Sequence, residues 1–443
     1  MYHTWLKSFS RLALAIALVI PVALATPARA DEPDGYQPGE VLVKLAQAID
    51  LPAVAADYNL DPVPLGQFGS RAIYRLRITD GASPPDRAAA LADDSLERVI
   101  YAEPNYLEQT PEGRQRSSWA EGGDAAAYGA QWAPAMIRLP EAHTVTRGAG
   151  ITVAVLDTGV DAAHLALVGR LVPGYDFVDM DGDPSEVGVH GQDVTYGHGT
   201  HVAGLVALAA PEAKIMPVRV LDRDGAGNLW VLAEALAYAI DPDGNPATDD
   251  GADVINLSLG TNRRTDLLAE IVAAVTCADD DDDDDDDDEN CLAAGGRGVV
   301  VVAAAGNSGT TVREYPAAEE VEGSLAVAAS TSADTLAALS TYGSWVSVTA
   351  PGESITSSVP GGGYGAWSGT SMAAPLAAGV VALARAACPN LSAAEVAERI
   401  VETAADIPGP VPLRLDAAGA VELCPATDGE YSVWLPVMMG GTR

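Results

Sequence analysis

Three side chains in this sequence are of the types that together turn a hydroxyl into a nucleophile. Asp157 closes the apolar run ITVAVLD (151–157) and is followed by Thr158 and Gly159. His198 lies between glycines in GHGTHVAG (197–204), and Ser371 lies in SGTSMAAP (368–375), at the head of an alanine-rich stretch. A serine hydroxyl attacks poorly at neutral pH unless a base takes its proton. Histidine can take it and later return it to a leaving amine, while a carboxylate fixes the imidazole tautomer and stabilises its charged form. Asn307 follows GVVVVAAAG (298–306). Its amide, with the backbone N–H of Ser371, could donate to the oxyanion of a tetrahedral intermediate.

These residues stand far apart in the chain, so the surrounding elements must bring them together. ITVAVLD (151–157), KIMPVRVL (214–221), DVINLSL (253–259) and GVVVVAAAG (298–306) are near-continuous apolar runs. Helical patterns cover 198–210, 228–240, 264–277 and 371–387. Buried strands alternating with helices predict an α/β fold, a mainly parallel doubly wound sheet with helices on both faces. In such a sheet the carboxyl ends of strands and the first turns of the following helices share one edge. Asp157 and Asn307 fall at strand ends, and His198 and Ser371 at helix starts. A helix N-terminus at Ser371 also aims N–H groups and a positive dipole end at the developing charge. The chain order Asp, His, Ser excludes the α/β-hydrolase arrangement, which runs Ser, acid, His.

Ahead of this region lies a small α+β unit. GEVLVKL (39–45) and RAIYRLRI (71–78) read as strands, and PPDRAAALADD (84–94) as a helix opened by proline. ERVIYAEPNY (97–106) reads as a third strand closed by a turn, and the polar stretch 108–123 as a linker and processing region. At the N-terminus, Lys7 and Arg11 precede the apolar run 12–25, and Ala28-Arg29-Ala30 offers small residues for cleavage. Residues 1–30 therefore read as a signal peptide, with an apolar run shorter than the roughly 20 residues of a spanning helix. The mature form is expected to be secreted and extracellular, without a membrane span. The apolar tail YSVWLPVMMGGTR (431–443) leaves cell-surface attachment open. Export makes the four cysteines disulfide candidates; of three connectivities, proximity favours Cys277–Cys291 with Cys388–Cys424. A net charge of −37 disfavours nucleic acid and anionic membranes as partners.

VAVLDTGVD (153–161), GHGTHVAG (197–204), VVAAAGN (301–307) and GTSMAAP (369–375) resemble the signature segments of the subtilisin-like serine proteases, in that family's order, over about residues 131–405. The resemblance implies a serine endopeptidase that hydrolyses proteins and peptides through an acyl-enzyme on Ser371. His198 is then general base and acid, Asp157 orients it, and Asn307 completes the oxyanion hole, with no cofactor for catalysis. VINLSLG (254–260) resembles the family's cleft strand, which implies Ser258, Leu259 and Gly260, with Gly306, as substrate contacts by β-augmentation. Residues 31–117 resemble a prodomain that assists folding and then inhibits, leaving 118–425 as catalytic domain and 426–443 as tail, in a monomer. The competing reading is a catalytically silent pseudoprotease that binds peptides.

Acidic segments add further expectations. GYDFVDMDGDP (174–184) resembles a calcium loop found at this place in some members of the family, which implies structural Ca2+ on Asp176, Asp179, Asp181 and Asp183. DPDGNPATDD (241–250) is a second acidic turn, with Asp241, Asp243 and Asn245 alternating. The run Asp279 to Asp288, followed by Glu289, repels itself and reads as a hydrated surface insert (279–289). His201 is expected to pack beside His198, and His164 and His190 to be solvated. Because AAAGN (303–307) and EYPA (314–317) suggest no buried charge suited to basic residues, cleavage after apolar side chains is expected.

Overall fold

The computed structural model describes residues 35–115, 119–245, 248, 250–278, 291–293 and 296–422. The expected signal peptide, acidic insert and C-terminal tail lie outside them.

A nine-stranded sheet forms the centre. Its parallel core runs, in spatial order, Val348–Pro351, Ser324–Ser330, Val300–Ala304, Val254–Leu257, Thr152–Asp157 and Lys214–Arg219. Successive side chains of a strand point to opposite faces. Val153 and Val155 therefore enter the core under one helical layer, while Ala154 and Leu156 enter the core under the other. Val300 and Val302 are divided from Val301 and Ala303 in the same way. Burial on both faces is why these strands read as unbroken apolar runs rather than alternating ones.

One face is covered by the helices His198–Ala209 and Thr370–Ala387, the other by Leu229–Ile240 and Asp266–Thr276. The Thr370–Ala387 helix is rich in alanine because it runs through the packed interior. A Cβ on Gly379 would meet the Cβ of Ala209 at 2.3 Å, so the two helices cross with almost nothing between them. It alone among the described helices is long and apolar enough to cross a bilayer, and 89% of it is buried inside the fold.

The N-terminal unit is built as expected, from strands Tyr36–Leu45 and Ile73–Arg77 and helix Pro84–Ala92. Val41, Val43 and Leu45 face its own core, whereas Leu42 and Ile73 join the core around Trp230 on the helix Leu229–Ile240. One deviation matters for function. The third strand does not turn after Tyr106; it runs Val99–Gln109 and pairs antiparallel with Ala226–Asn228 beyond the central sheet. A short helix, Pro111–Gln115, follows.

Cys277 and Cys291 form a disulfide. Cys388 is also disulfide-bonded, and Cys424 lies outside the described residues.

Candidate active site

The chain leaves Thr152–Asp157 on one side of the sheet and returns at Val254–Leu257 on the other, so Asp157 sits where the winding reverses. Such a switch point opens a crevice at the carboxyl ends of the strands. His198 opens its helix at the same edge. A Cβ on Gly199 would meet the carbonyl oxygen of Gly159 at 2.2 Å, so only glycine lets that helix approach the Asp157 turn. His198 Nδ1 lies 2.7 Å from Asp157 Oδ1, with both side chains buried. Asp157 Oδ1 also accepts the N–H of Thr158 at 2.8 Å.

Asn307 and Ser371 complete the edge. Asn307 Oδ1 accepts from the backbone N–H of Thr370 at 2.9 Å and its hydroxyl at 3.1 Å, which turns Nδ2 toward the cleft. The Ser371 hydroxyl is fully buried, 3.4 Å from the carbonyl of Ser258. A carboxylate unforeseen from the sequence joins these groups. Glu112, from the short helix Pro111–Gln115, accepts from Ser371 Oγ at 2.6 Å and contacts His198 Nε2 at 3.1 Å through the same Oε2. Its Oε1 accepts from Asn307 Nδ2 at 2.7 Å. A Cβ on Gly369 would overlap Oε1, so this oxygen occupies the hollow that the missing side chain leaves.

Burial opposes charge on both partners, and their mutual attraction overrides it. His198 is pushed up to about 10 by Asp157 and Glu112 against desolvation. Glu112 is held below its ordinary value despite burial, chiefly by hydrogen bonding to His198. His201 goes the other way: burial pulls it down to about 3, with Nε2 lying 3.2 Å from the carbonyls of both Ile355 and Gly365. It packs and hydrogen-bonds within the fold.

The sequence model of the subtilase family matches residues 148–422. This chain belongs to the subtilase family. It is 35% identical over 389 residues to the thermophilic serine proteinase of Bacillus sp. (strain AK1), with 85% of each chain covered. It is 37% identical to thermitase of Thermoactinomyces vulgaris over 63% of this chain and 90% of that one. Among solved structures, fervidolysin from Fervidobacterium pennivorans, a keratinolytic enzyme related to subtilisin, aligns at a TM-score of 0.69 and 25% identity. That alignment covers 88% of this chain and 62% of the longer fervidolysin chain. The subtilase is thus a serine peptidase acting on peptide bonds, and the fold class read from the sequence is the family's own.

Around this centre the subtilase both meets and departs from expectation. Gly260 exchanges two backbone hydrogen bonds with Gln109, at 3.2 and 3.1 Å, so the linker strand occupies the cleft as an added strand. Ser258 Oγ donates to the Ser371 carbonyl at 3.1 Å, Leu259 is buried, and the Gly306 N–H donates to Thr370 Oγ1 at 3.0 Å. Glu108 is buried in the same strand, with one carboxylate oxygen unpartnered, and burial pushes it up to about 8.

The calcium set does not assemble. Asp176 and Asp179 each lie 2.6 Å from Arg219 Nη1, which supplies the positive charge there. Asp181 and Asp183 are engaged locally, by the Asp183 N–H and the Ser185 hydroxyl. The acidic turn brings carboxylate oxygens of Asp241, Asp243 and Asp250 within 4.8 Å of one another, on the exposed surface. His164 is buried rather than solvated, 2.7 Å from the Gly363 carbonyl, while His190 is exposed and stacks on Trp119.

Two further residues escaped the sequence reading. Glu186 accepts from the Thr158 hydroxyl at 2.7 Å and from the N–H and hydroxyl of Thr200 at 3.1 and 2.9 Å. The histidine helix has glycine at its N-cap and no side-chain cap of its own, so Glu186 caps it from a distant loop. Glu314 in EYPA, where no buried charge was expected, is buried and pairs with Arg114 at 2.7 Å.

Proposed function

We propose that this subtilase is a secreted endopeptidase made as a latent precursor, with Ser371 as nucleophile, His198 as general base and acid, Asp157 as its orienting carboxylate and Asn307 in the oxyanion hole. The observation that carries the reading is the single carboxylate of Glu112, held at once by Ser371, His198 and Asn307. Groups able to surround one carboxylate can surround the tetrahedral oxyanion of a peptide bond, which spreads similar charge over the same place.

In the open enzyme a substrate strand takes the position of 107–109, bonded to Gly260 and to Ala226–Asn228. Its carbonyl carbon meets Ser371 Oγ as His198 Nε2 takes the hydroxyl proton, and Asp157 stabilises the resulting imidazolium. Asn307 Nδ2 donates to the oxyanion. His198 passes the proton to the leaving amine, and a water repeats the sequence on the acyl-enzyme. The chain's own residues supply every group this reaction uses.

Residues 31–117 are the inhibitory partner in this reading, and cleavage within 107–130 that lets the segment around Glu112 leave the cleft opens the site. Fluorophosphonate labelling and N-terminal sequencing of the secreted product test it. Native protein should label at Ser371 and start within 107–130, while Ser371→Ala should do neither. A pseudoprotease would leave native protein unlabelled. Asn307→Ala should lower kcat about a hundredfold to a thousandfold with KM little moved, the range seen for such a donor in a subtilisin.

A further inference from the structure

Glu314 is a buried carboxylate that the triad does not use. It precedes Tyr315, whose N–H and carbonyl both bond to Thr261, next to Gly260 in the cleft. A Cβ on Gly306 would lie 2.6–2.8 Å from Glu314 Cγ, Cδ and Oε1, and one on Gly260 would lie 3.9 Å from its Oε2. The carboxylate thus lies between the two segments that flank the cleft, one residue from Asn307. Two glycines leave the space it needs.

Its partner comes from outside the catalytic fold. Among the described residues, Glu314 makes its ion pair with Arg114, at 2.7 Å, and Arg114 also donates to the Gly260 carbonyl at 2.8 Å. Arg114 belongs to the segment that carries Glu112. When that segment leaves, a buried carboxylate loses its cation, which is strongly unfavourable unless another replaces it.

The direction of the chain says which substrate residue does so. The linker reaches Ser371 from the Gly260 side, with Gln109 opposite Gly260 and Glu112 at the hydroxyl. An extended substrate running on from the position of Gln109 places the residue before the attacked bond beside the space between Gly260 and Gly306, which Arg114 reaches here because the short helix Pro111–Gln115 folds the chain back. Resting on the serine-peptidase reading above, we propose that Glu314 selects substrates with arginine or lysine immediately before the scissile bond. Arg114 is the internal stand-in for that side chain. The net charge of −37 favours encounter with cationic segments in general. This replaces the expectation of apolar preference.

The test compares two peptide p-nitroanilides, identical except for arginine or phenylalanine before the anilide, on enzyme matured from full-length precursor. The arginine peptide should be favoured at least about tenfold in kcat/KM, because a site built around a buried polar group rejects the analogue that leaves it unpaired. Glu314→Gln should lower kcat/KM for the arginine peptide about tenfold to a hundredfold while changing the phenylalanine peptide less than about threefold. Raising salt from about 0.02 M to about 1 M should narrow the preference of the native enzyme, a readout that needs no variant. Equal rates on both peptides, or an equal loss on both in Glu314→Gln, overturns the assignment. A protein that takes no fluorophosphonate label and cuts neither peptide removes the protease reading itself, and the pocket's role with it.

Discussion

Glu186 ties together the two turns that hold Asp157 and His198. Its carboxylate receives Thr158 on one oxygen and Thr200 on the other, and Thr158 in turn accepts the N–H of Gly199 at 2.9 Å. Burial pushes this carboxylate up to about 7, so it is poised between charge states near neutrality. Truncation would strand a buried N–H and two hydroxyls, costing about 1–3 kcal/mol for each group left unpaired. Glu186→Ala should therefore lower kcat about tenfold or more with KM nearly unchanged, while Glu186→Gln, which retains an acceptor for Thr200, recovers most of the rate. Equal stability losses in both variants without a kcat difference would mark a merely structural residue. Asp157, His198, Asn307 and Ser371 were legible in the sequence because each sits in a local motif whose glycines and strand ends carry the geometry. Glu112, Glu186 and Glu314 were not, because nothing local distinguishes an acid that folds into the cleft from one left in solvent. Their roles come from long-range placement alone.

The strands and helices named from the sequence lie within a few residues of the observed ones, since double-sided burial writes itself as apolar runs, but the core strands Ser324–Ser330 and Val348–Pro351 and the helix Ala393–Glu402 were not read. Nor was the linker strand, because a Glu-rich segment is stabilised by Ala226–Asn228 and Gly260 far away rather than by its own composition. The calcium expectation for Asp176 and Asp179 took no account of Arg219, which a neighbouring strand places beside both carboxylates. Element placement also locates the acidic insert. It joins the helix ending at Thr276 to the strand beginning at Val300, whose opposite end leads to Asn307. The insert's attachment points therefore lie away from the catalytic edge. Deleting Asp279–Asp288 should leave kcat/KM on a small peptide within about twofold at moderate salt, where charges beyond roughly 10 Å are screened. A tenfold loss would refute the placement. At the opposite interface, Glu103 of the N-terminal unit accepts the N–H groups of Asp266 and Leu267 at 2.9 and 3.1 Å, capping a catalytic-domain helix. Glu103→Ala should weaken docking of that unit and shorten the lifetime of the uncut precursor on a gel.

Over the whole molecule, the latency proposed above would depend on pH through these contacts. Glu112 has a folded value below its ordinary 4.5, so its contribution to the plugged state is complete above 4.5 and is lost as pH falls through the depressed value. His198 is raised from 6.5 to about 10, so its contribution is complete below 6.5 and is lost as pH climbs toward about 10. Asp157 stays after release and Glu112 does not, so only part of that rise belongs to docking. Glu108 adds to the alkaline side. Raised from 4.5 to about 8, it must ionise inside the cleft as pH increases, and the docked strand loses stability across that interval. The plug should hold best near pH 4.5, weaken gradually above it as Glu108 is driven to ionise, and loosen more steeply above about 6.5 as the His198 contribution is lost too. Fluorophosphonate labelling of native and Glu112→Gln precursors isolates the effect, because the intrinsic titration of His198 enters both rates. The native-to-variant ratio should be lowest near pH 5–6.5, about tenfold or more below one, and rise toward one near pH 9–10. A ratio that stays flat across this range would mean that the Glu112–His198 pair does not govern release, and that the strand at 107–109 holds the precursor closed without it.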